Sequence, residues 1–133
     1  MEYTNLEQSK ELMELGLKPE TADLVWCIVE SGDFELRLKD YTITKDTFSF
    51  RNGLSVPAWS TDVLLKEIPK TIVVNGMSFE FHLTYREGMW GAKYISEDYY
   101  CVMSRHYWAS LVNMLTDIMK WLLENKYKTY SHD

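Results

Sequence analysis

The sequence predicts an α+β fold: a two-layer sandwich in which an antiparallel β-meander of four to five strands packs against a long C-terminal helix, with short helices at the N-terminal end. Three observations carry that reading. Between Thr71 and Tyr85, apolar and polar residues alternate around Asn75-Gly76, the dipeptide that a two-residue type I′ hairpin selects. From Trp108 to Leu122, apolar residues recur in steps of three and four, the spacing of one helical face. Short capped segments near the N-terminus and around Ser60 supply the remaining helices.

At the N-terminal end, Thr4 and Glu7 have capping-box spacing, and Leu6, Leu12, Met13 and Leu15 give a short amphipathic helix that Gly16 ends in a left-handed conformation. Pro19 suits a first helical turn, and Thr21–Trp26 is expected to continue for one or two turns. Residues 26–29 are apolar but too few to assign. From Phe34 to Lys39 the period becomes two, the pattern of a half-buried strand. Tyr41–Thr44 and Phe48–Phe50 read as further short strands or an irregular crossing, with a turn at Asn52-Gly53.

Pro57 biases the chain before it toward extended geometry, and Ser60 caps a short helix that Pro69 stops. Trp59 and Leu64 occupy its staple positions, with Asp62 in the first turn. In the hairpin that follows, a two-residue loop pairs Val74 with Met77 and Ile72 with Phe79. It places Phe81, Leu83 and Tyr85 on the same face, and Glu80, His82, Thr84 and Arg86 on the other. Gly88 and Gly91 are expected to flank a turn at Met89-Trp90, with strands over Ala92–Ile95 and Tyr99–Met103. The long helix then runs from an N-cap at Ser104 to Asn125, stapled by Met103 and Trp108. It leaves Ser110, Asn113, Thr116, Asp117, Lys120 and Glu124 for solvent. Lys126–Asp133 reads as a polar tail.

At 133 residues the chain is expected to form one domain, with 46% hydrophobic and 14% aromatic residues to fill a core. The net charge of -6 comes from residues 1–40, where ten acids face four bases; the remainder is balanced. An acidic N-terminal third disfavours a nucleic-acid partner, whose backbone needs a basic face. Cys27 and Cys101 are expected to be buried thiols of a reducing compartment rather than a disulfide. A basic, apolar leader and an apolar run of membrane-spanning length are both missing, so the chain is expected to be cytoplasmic and without a membrane partner.

No phosphate-binding glycine loop, His-Glu-x-x-His, Cys-x-x-Cys or Gly-x-Ser-x-Gly occurs, and neither a metal nor a cofactor is expected. His82 lies mid-strand beside Glu80, Thr84 and Arg86, where a same-face carboxylate would hold its tautomer. The plain reading is a solvated sheet face; the functional one is a site formed by His82, Arg86, Trp90 and Tyr94. Cys101 reads as a buried strand thiol, although Ser104 and His106 nearby are the setting a reactive one would need. The aromatics from Trp90 to Trp108 suit a core and its rim, or a binding face. On the long helix, Tyr107, Met114 and Trp121 recur every seven residues and suit a homodimer contact. Glu2, Glu7, Glu11, Glu14 and Glu20 would mimic nucleic acid if they shared one surface.

Several stretches carry a resemblance: Glu11–Leu17, Thr21-Ala22-Asp23, Pro57–Ser60 with Leu64-Leu65 and Ile68-Pro69-Lys70, and Trp121–Asn125. Together they resemble a family of small proteins of gut Bacteroidetes genomes, many in prophages or other mobile elements. Glu30–Val56 lies outside the likeness, and Lys126 stands where members often carry Gly. The family has no assigned activity, so the resemblance implies context alone: a bacterial, phage-related accessory protein. The expectation is a non-enzymatic protein-interaction module, with a small-ligand binder or enzyme around His82, Arg86 and Trp90 as the alternative.

Overall fold

The computed structural model describes residues 2–28, 31–38 and 55–129. In chain order these form α1 (Leu6–Glu14), β1 (Leu24–Ile28), β2 (Phe34–Leu38), β3 (Ser55–Ala58), α2 (Thr61–Glu67), β4 (Thr71–Val74), β5 (Met77–Arg86), β6 (Met89–Ile95), β7 (Cys101–Trp108) and α3 (Leu111–Glu124). The fold is α+β: an antiparallel meander in the order β4-β5-β6-β7 packs against α3, and β2-β1-β3 make a second antiparallel sheet. The strands expected over Tyr41–Thr44 and Phe48–Phe50, and the Asn52-Gly53 turn, lie outside the described residues.

The cap of α1 falls one residue later than its spacing suggests. Asn5 accepts from the Gln8 N–H at 2.7 Å, and the Gln8 side chain accepts from the Asn5 N–H at 3.0 Å. Thr4 is used elsewhere. Buried, it donates its N–H to the Trp59 carbonyl at 2.9 Å and accepts the Trp59 N–H on Oγ1 at 3.0 Å, tying the N-terminal segment to the start of α2. Gly16 ends the helix at φ +103°, as expected.

Thr21–Trp26 does not continue as a helix. A 3-10 turn over Pro19–Thr21 ends at Ala22, whose ψ of 140° is extended, and β1 follows. This strand pairs on both sides, Leu24 opposite Leu38 and Ala58 and Trp26 opposite Leu36 and Val56. Long-range pairing of β-branched and aromatic residues outweighs the local start signal of Pro19. The second sheet's presence is the main feature that sequence periodicity left open. Ser60 caps α2 as expected, accepting from the Val63 N–H at 3.4 Å, with Trp59 and Leu64 buried beneath the cap. Asp23 fixes that cap, receiving the Ser60 N–H at 2.9 Å and its Oγ–H at 2.6 Å.

The hairpin has the expected register, Val74 opposite Met77 and Ile72 opposite Phe79, with Asn75 and Gly76 at φ +50° and +81°. The next turn is Glu87-Gly88, also at positive φ, and not the Gly88–Gly91 span. Met89 and Trp90 therefore belong to β6, where Gly91 sits mid-strand.

The largest correction concerns the C-terminal helix. Residues 101–108 are not its first turns but β7, which pairs with β6 from Met89↔Trp108 to Ile95↔Cys101. Ser110, not Ser104, caps α3, accepting from the Asn113 N–H at 3.3 Å. Ala109, at φ +57°, reverses the chain between them. Trp108 consequently points to solvent and staples nothing.

At 14 residues α3 is about 21 Å long. Met114, Leu115, Ile118, Met119 and Leu122 are fully buried, in one cluster with Ile72, Phe79, Tyr94 and Met103 of the meander and Leu12, Trp59 and Leu64 of the other elements. Its polar side is covered too. Thr116 is buried rather than solvated, because α1 lies along that side, clasped by Gln8 Nε2–H to Asn113 Oδ1 at 2.8 Å and Lys120 to Glu11 at 2.6 Å. Lys126, at φ +60°, follows the last turn.

Candidate functional site

Strand alternation divides the meander into two faces. Ile72, Phe79, Phe81, Leu83, Ala92, Tyr94, Met103 and Tyr107 point toward α3. The other face has no described element packed on it, and β5, β6 and β7 set its side chains out in rows. His82 lies opposite Lys93, and Lys93 opposite Ser104. Thr84 lies opposite Gly91, and Gly91 opposite His106. Arg86 lies opposite Met89, and Met89 opposite Trp108. His82, Thr84, Arg86, Lys93, Ser104, His106 and Trp108 are all exposed.

These rows split the four residues singled out from the sequence. His82 and Arg86 share the face on which no described element packs, two strand positions either side of Thr84. Trp90 and Tyr94 are on the opposite face. Tyr94 is fully buried, donates its hydroxyl to the Pro69 carbonyl at 2.6 Å and stacks on Trp121 at 6.1 Å. Burial pushes its phenol far above the ordinary range, as befits a core group. Trp90 is half-buried beside Tyr85, their rings 4.6 Å apart.

A trough of about 750 Å³ does open beside His82, but with other partners. Thr71, Ser78, Glu80, His82 and Lys93 form its floor and side, and the loop after β6 brings Glu97, Asp98 and Tyr99 to its rim. Ser96 holds that loop: its N–H donates to the Tyr100 carbonyl at 2.9 Å and its Oγ accepts the Tyr100 N–H at 3.0 Å. Tyr99 takes φ +66° and is 84% exposed. Neither Arg86 nor Trp90 lines the trough.

At the centre of the rows Gly91 is required by close approach. A Cβ there would lie 2.8 Å from Thr84 Oγ1 and 3.3 Å from His106 Nδ1. Ser104, His106 and Trp108 are read from the sequence as the start of a helix, not as one side of a strand, because the helical period runs through them. The missed signal is alternation, with Met103, Arg105 and Tyr107 facing inward between them. Inward they are held firmly: Asp117 accepts from Arg105 Nε at 3.2 Å and from the Tyr107 hydroxyl at 2.8 Å. That second bond, before burial, raises the Tyr107 phenol above its ordinary range.

The other candidates are placed as follows. Cys101 is a strand residue as expected, but exposed rather than buried, its Sγ–H directed to the Met103 carbonyl at 3.2 Å. Cys27 is half-buried, and both thiols are free. Burial pushes the Cys27 thiol up, against the opposing pull of Arg37. Of the three residues read as a homodimer flank, Tyr107 lies on β7 and not on the helix, Met114 is fully buried, and Trp121 is half-buried beside Tyr94 and Tyr127. Of the N-terminal acids, Glu11 is paired with Lys120, and Glu2 accepts the Val112 N–H at 2.9 Å where α3 begins.

Among the described residues, no group of three or more His, Cys, Asp or Glu is placed to hold a metal ion, and no helix is long and apolar enough to cross a membrane. No family model matches the chain, nor does any curated protein or solved structure.

Proposed function

We propose that this chain is a non-enzymatic protein-interaction module, an accessory protein of a bacterial phage or mobile element acting in the cytoplasm. One observation carries the reading: a four-stranded sheet buried by α3 on one side presents charged and aromatic side chains on the other, with no described element over them. A sheet face of that size with no described element on it suits recognition rather than a core. The resemblance of Glu11–Leu17, Pro57–Ser60 and Trp121–Asn125 to the Bacteroidetes and prophage family supports the cellular setting. The test is affinity capture from a bacterial host lysate with the wild-type chain beside a His82→Glu/Lys93→Glu variant. A partner retained by the first and lost by the second is expected. A wild-type chain that stays an inert monomer, or capture indifferent to the variant, would refute the reading.

A second reading is favoured by the trough. Its His82, Lys93 and Glu80 side chains, with the Tyr99 ring at the rim, suit a small polar ligand. A ligand screen by thermal shift is expected to give hits abolished by Tyr99→Ala and Lys93→Ala together. Hits that survive both changes would place the ligand elsewhere.

A further inference from the structure

We propose that the docking surface is the cationic half of the uncovered face, from the His82–Lys93–Ser104 row to the Arg86–Met89–Trp108 row, and that it takes an acidic segment of a partner protein. The inference rests on the reading of this face as an interaction surface and adds what the partner carries.

The nine outward positions of these three rows are His82, Thr84 and Arg86 on β5, Met89, Gly91 and Lys93 on β6, and Ser104, His106 and Trp108 on β7. None is a carboxylate, in a chain with 20 Asp and Glu against 14 Lys and Arg. Elsewhere Lys120, Arg105 and Arg37 are paired with Glu11, Asp117 and Glu35, whereas Lys93 and Arg86 make no ion pair with a described residue. Two unpaired cations and two imidazoles are thus set out on this face with the Ser104 and Thr84 side chains, Thr84 and His106 closing over the buried backbone of Gly91. Trp108 stands at one corner, two-thirds exposed, the kind of aromatic anchor that interfaces favour.

Charge complementarity selects an acidic occupant, and the size of the patch selects a protein. Five residues along three strands measure about 14 Å by about 10 Å. Acids bound it at both ends, Glu80, Glu97 and Asp98 beyond the His82 row and Glu87 beyond the Arg86 row. A polynucleotide backbone, charged along its whole length, would run onto those carboxylates within a few nucleotides. A short acidic strand or loop ends before it meets them.

The test is a titration of the isotopically labelled chain with an oligoglutamate peptide and, separately, with oligothymidylate, followed by amide chemical shifts. The peptide is expected to shift His82–Arg86, Met89–Lys93 and Ser104–Trp108, and to bind more weakly as salt is raised. Lys93→Glu/Arg86→Glu, with its native spectrum intact, is expected to weaken it about tenfold or more. Trp108→Ala, which leaves the charges in place, is expected to weaken it less. Shifts that are absent or scattered, indifference to the double reversal, or tighter binding of oligothymidylate on the same rows would overturn the proposal. If the peptide fails while lysate capture is still lost on His82→Glu/Lys93→Glu, the acidic partner is wrong and the docking face stands. If both fail, the docking face falls too.

Discussion

Replacing Leu115 and Trp108 by alanine, each alone, separates the observed boundary between β7 and α3 from a helix that begins at Ser104. Leu115 is 0% exposed at the middle of α3, in the cluster that joins the meander to α2 and α1. Truncating a leucine so enclosed removes its transfer free energy and leaves a cavity, about 3 kcal/mol within the usual range of roughly 2–5 kcal/mol. Against a total stability of about 5–15 kcal/mol, that moves a urea midpoint far outside experimental error. Trp108 is 67% exposed on the outward side of β7, so its loss removes mainly strand propensity and is expected to cost less than about 1 kcal/mol. Were Trp108 an inward staple of a longer helix, its truncation would cost about 3–5 kcal/mol. The assay is equilibrium urea denaturation followed by far-ultraviolet circular dichroism, which does not depend on the tryptophan removed. Comparable losses for the two variants would refute the reasoning.

Lys126 adopts φ +60° after α3, a conformation that glycine takes at little cost. Lys126→Gly is therefore expected to stabilise the fold by about 0.5–1 kcal/mol in the same denaturation assay, and a loss of stability would contradict it. Cys101 is exposed and Cys27 half-buried with its thiol pushed up, so Cys27→Ser is expected to keep the fast reaction of the native chain with a thiol reagent and Cys101→Ser to keep a slow one. The hydrogen bond and charge of Glu11 raise the Lys120 ammonium above its ordinary value. Its folded value thus lies above the unfolded one, so its contribution is complete below about pH 10 and is lost as pH rises through the raised value. The α1–α3 clasp is part-exposed, so the difference between wild type and Lys120→Met is expected to be under about 1 kcal/mol at neutral pH and to vanish in strong alkali. A gap that widens with pH would contradict that sign.

What the sequence discloses and what it hides follow from the range of the interactions. The β4–β5 hairpin is legible because Asn75-Gly76 sets the register within a few residues and alternation confirms it. The α2 cap is legible for the same reason. Residues 104–108 mislead because Tyr107 satisfies both periods: it is four residues from Leu111 on a helix and two from Arg105 on a strand. Pairing with β6 decides between them, and no local pattern carries that pairing. The β2-β1-β3 sheet joins Leu24 to Ala58 across 34 positions, beyond any window of periodicity. Thr116 reads as solvent-facing on α3 alone, and only the approach of α1 buries it. The candidate site divides accordingly. The side of β5 that carries His82 and Arg86 is readable from alternation, whereas the company they keep on Lys93, Ser104, His106 and Trp108 is a product of sheet order.

The most direct measurement of the one-sided sheet is cysteine accessibility in a background freed of Cys27 and Cys101. Single cysteines at His82, Lys93 and His106 are expected to react with a thiol reagent in the native chain nearly as fast as in urea. Single cysteines at Phe79, Ala92 and Met103, which point toward α3, are expected to react only as the chain unfolds. Native protection at the first three positions would mean that the face is covered, and the account of this chain as an open recognition surface would be wrong.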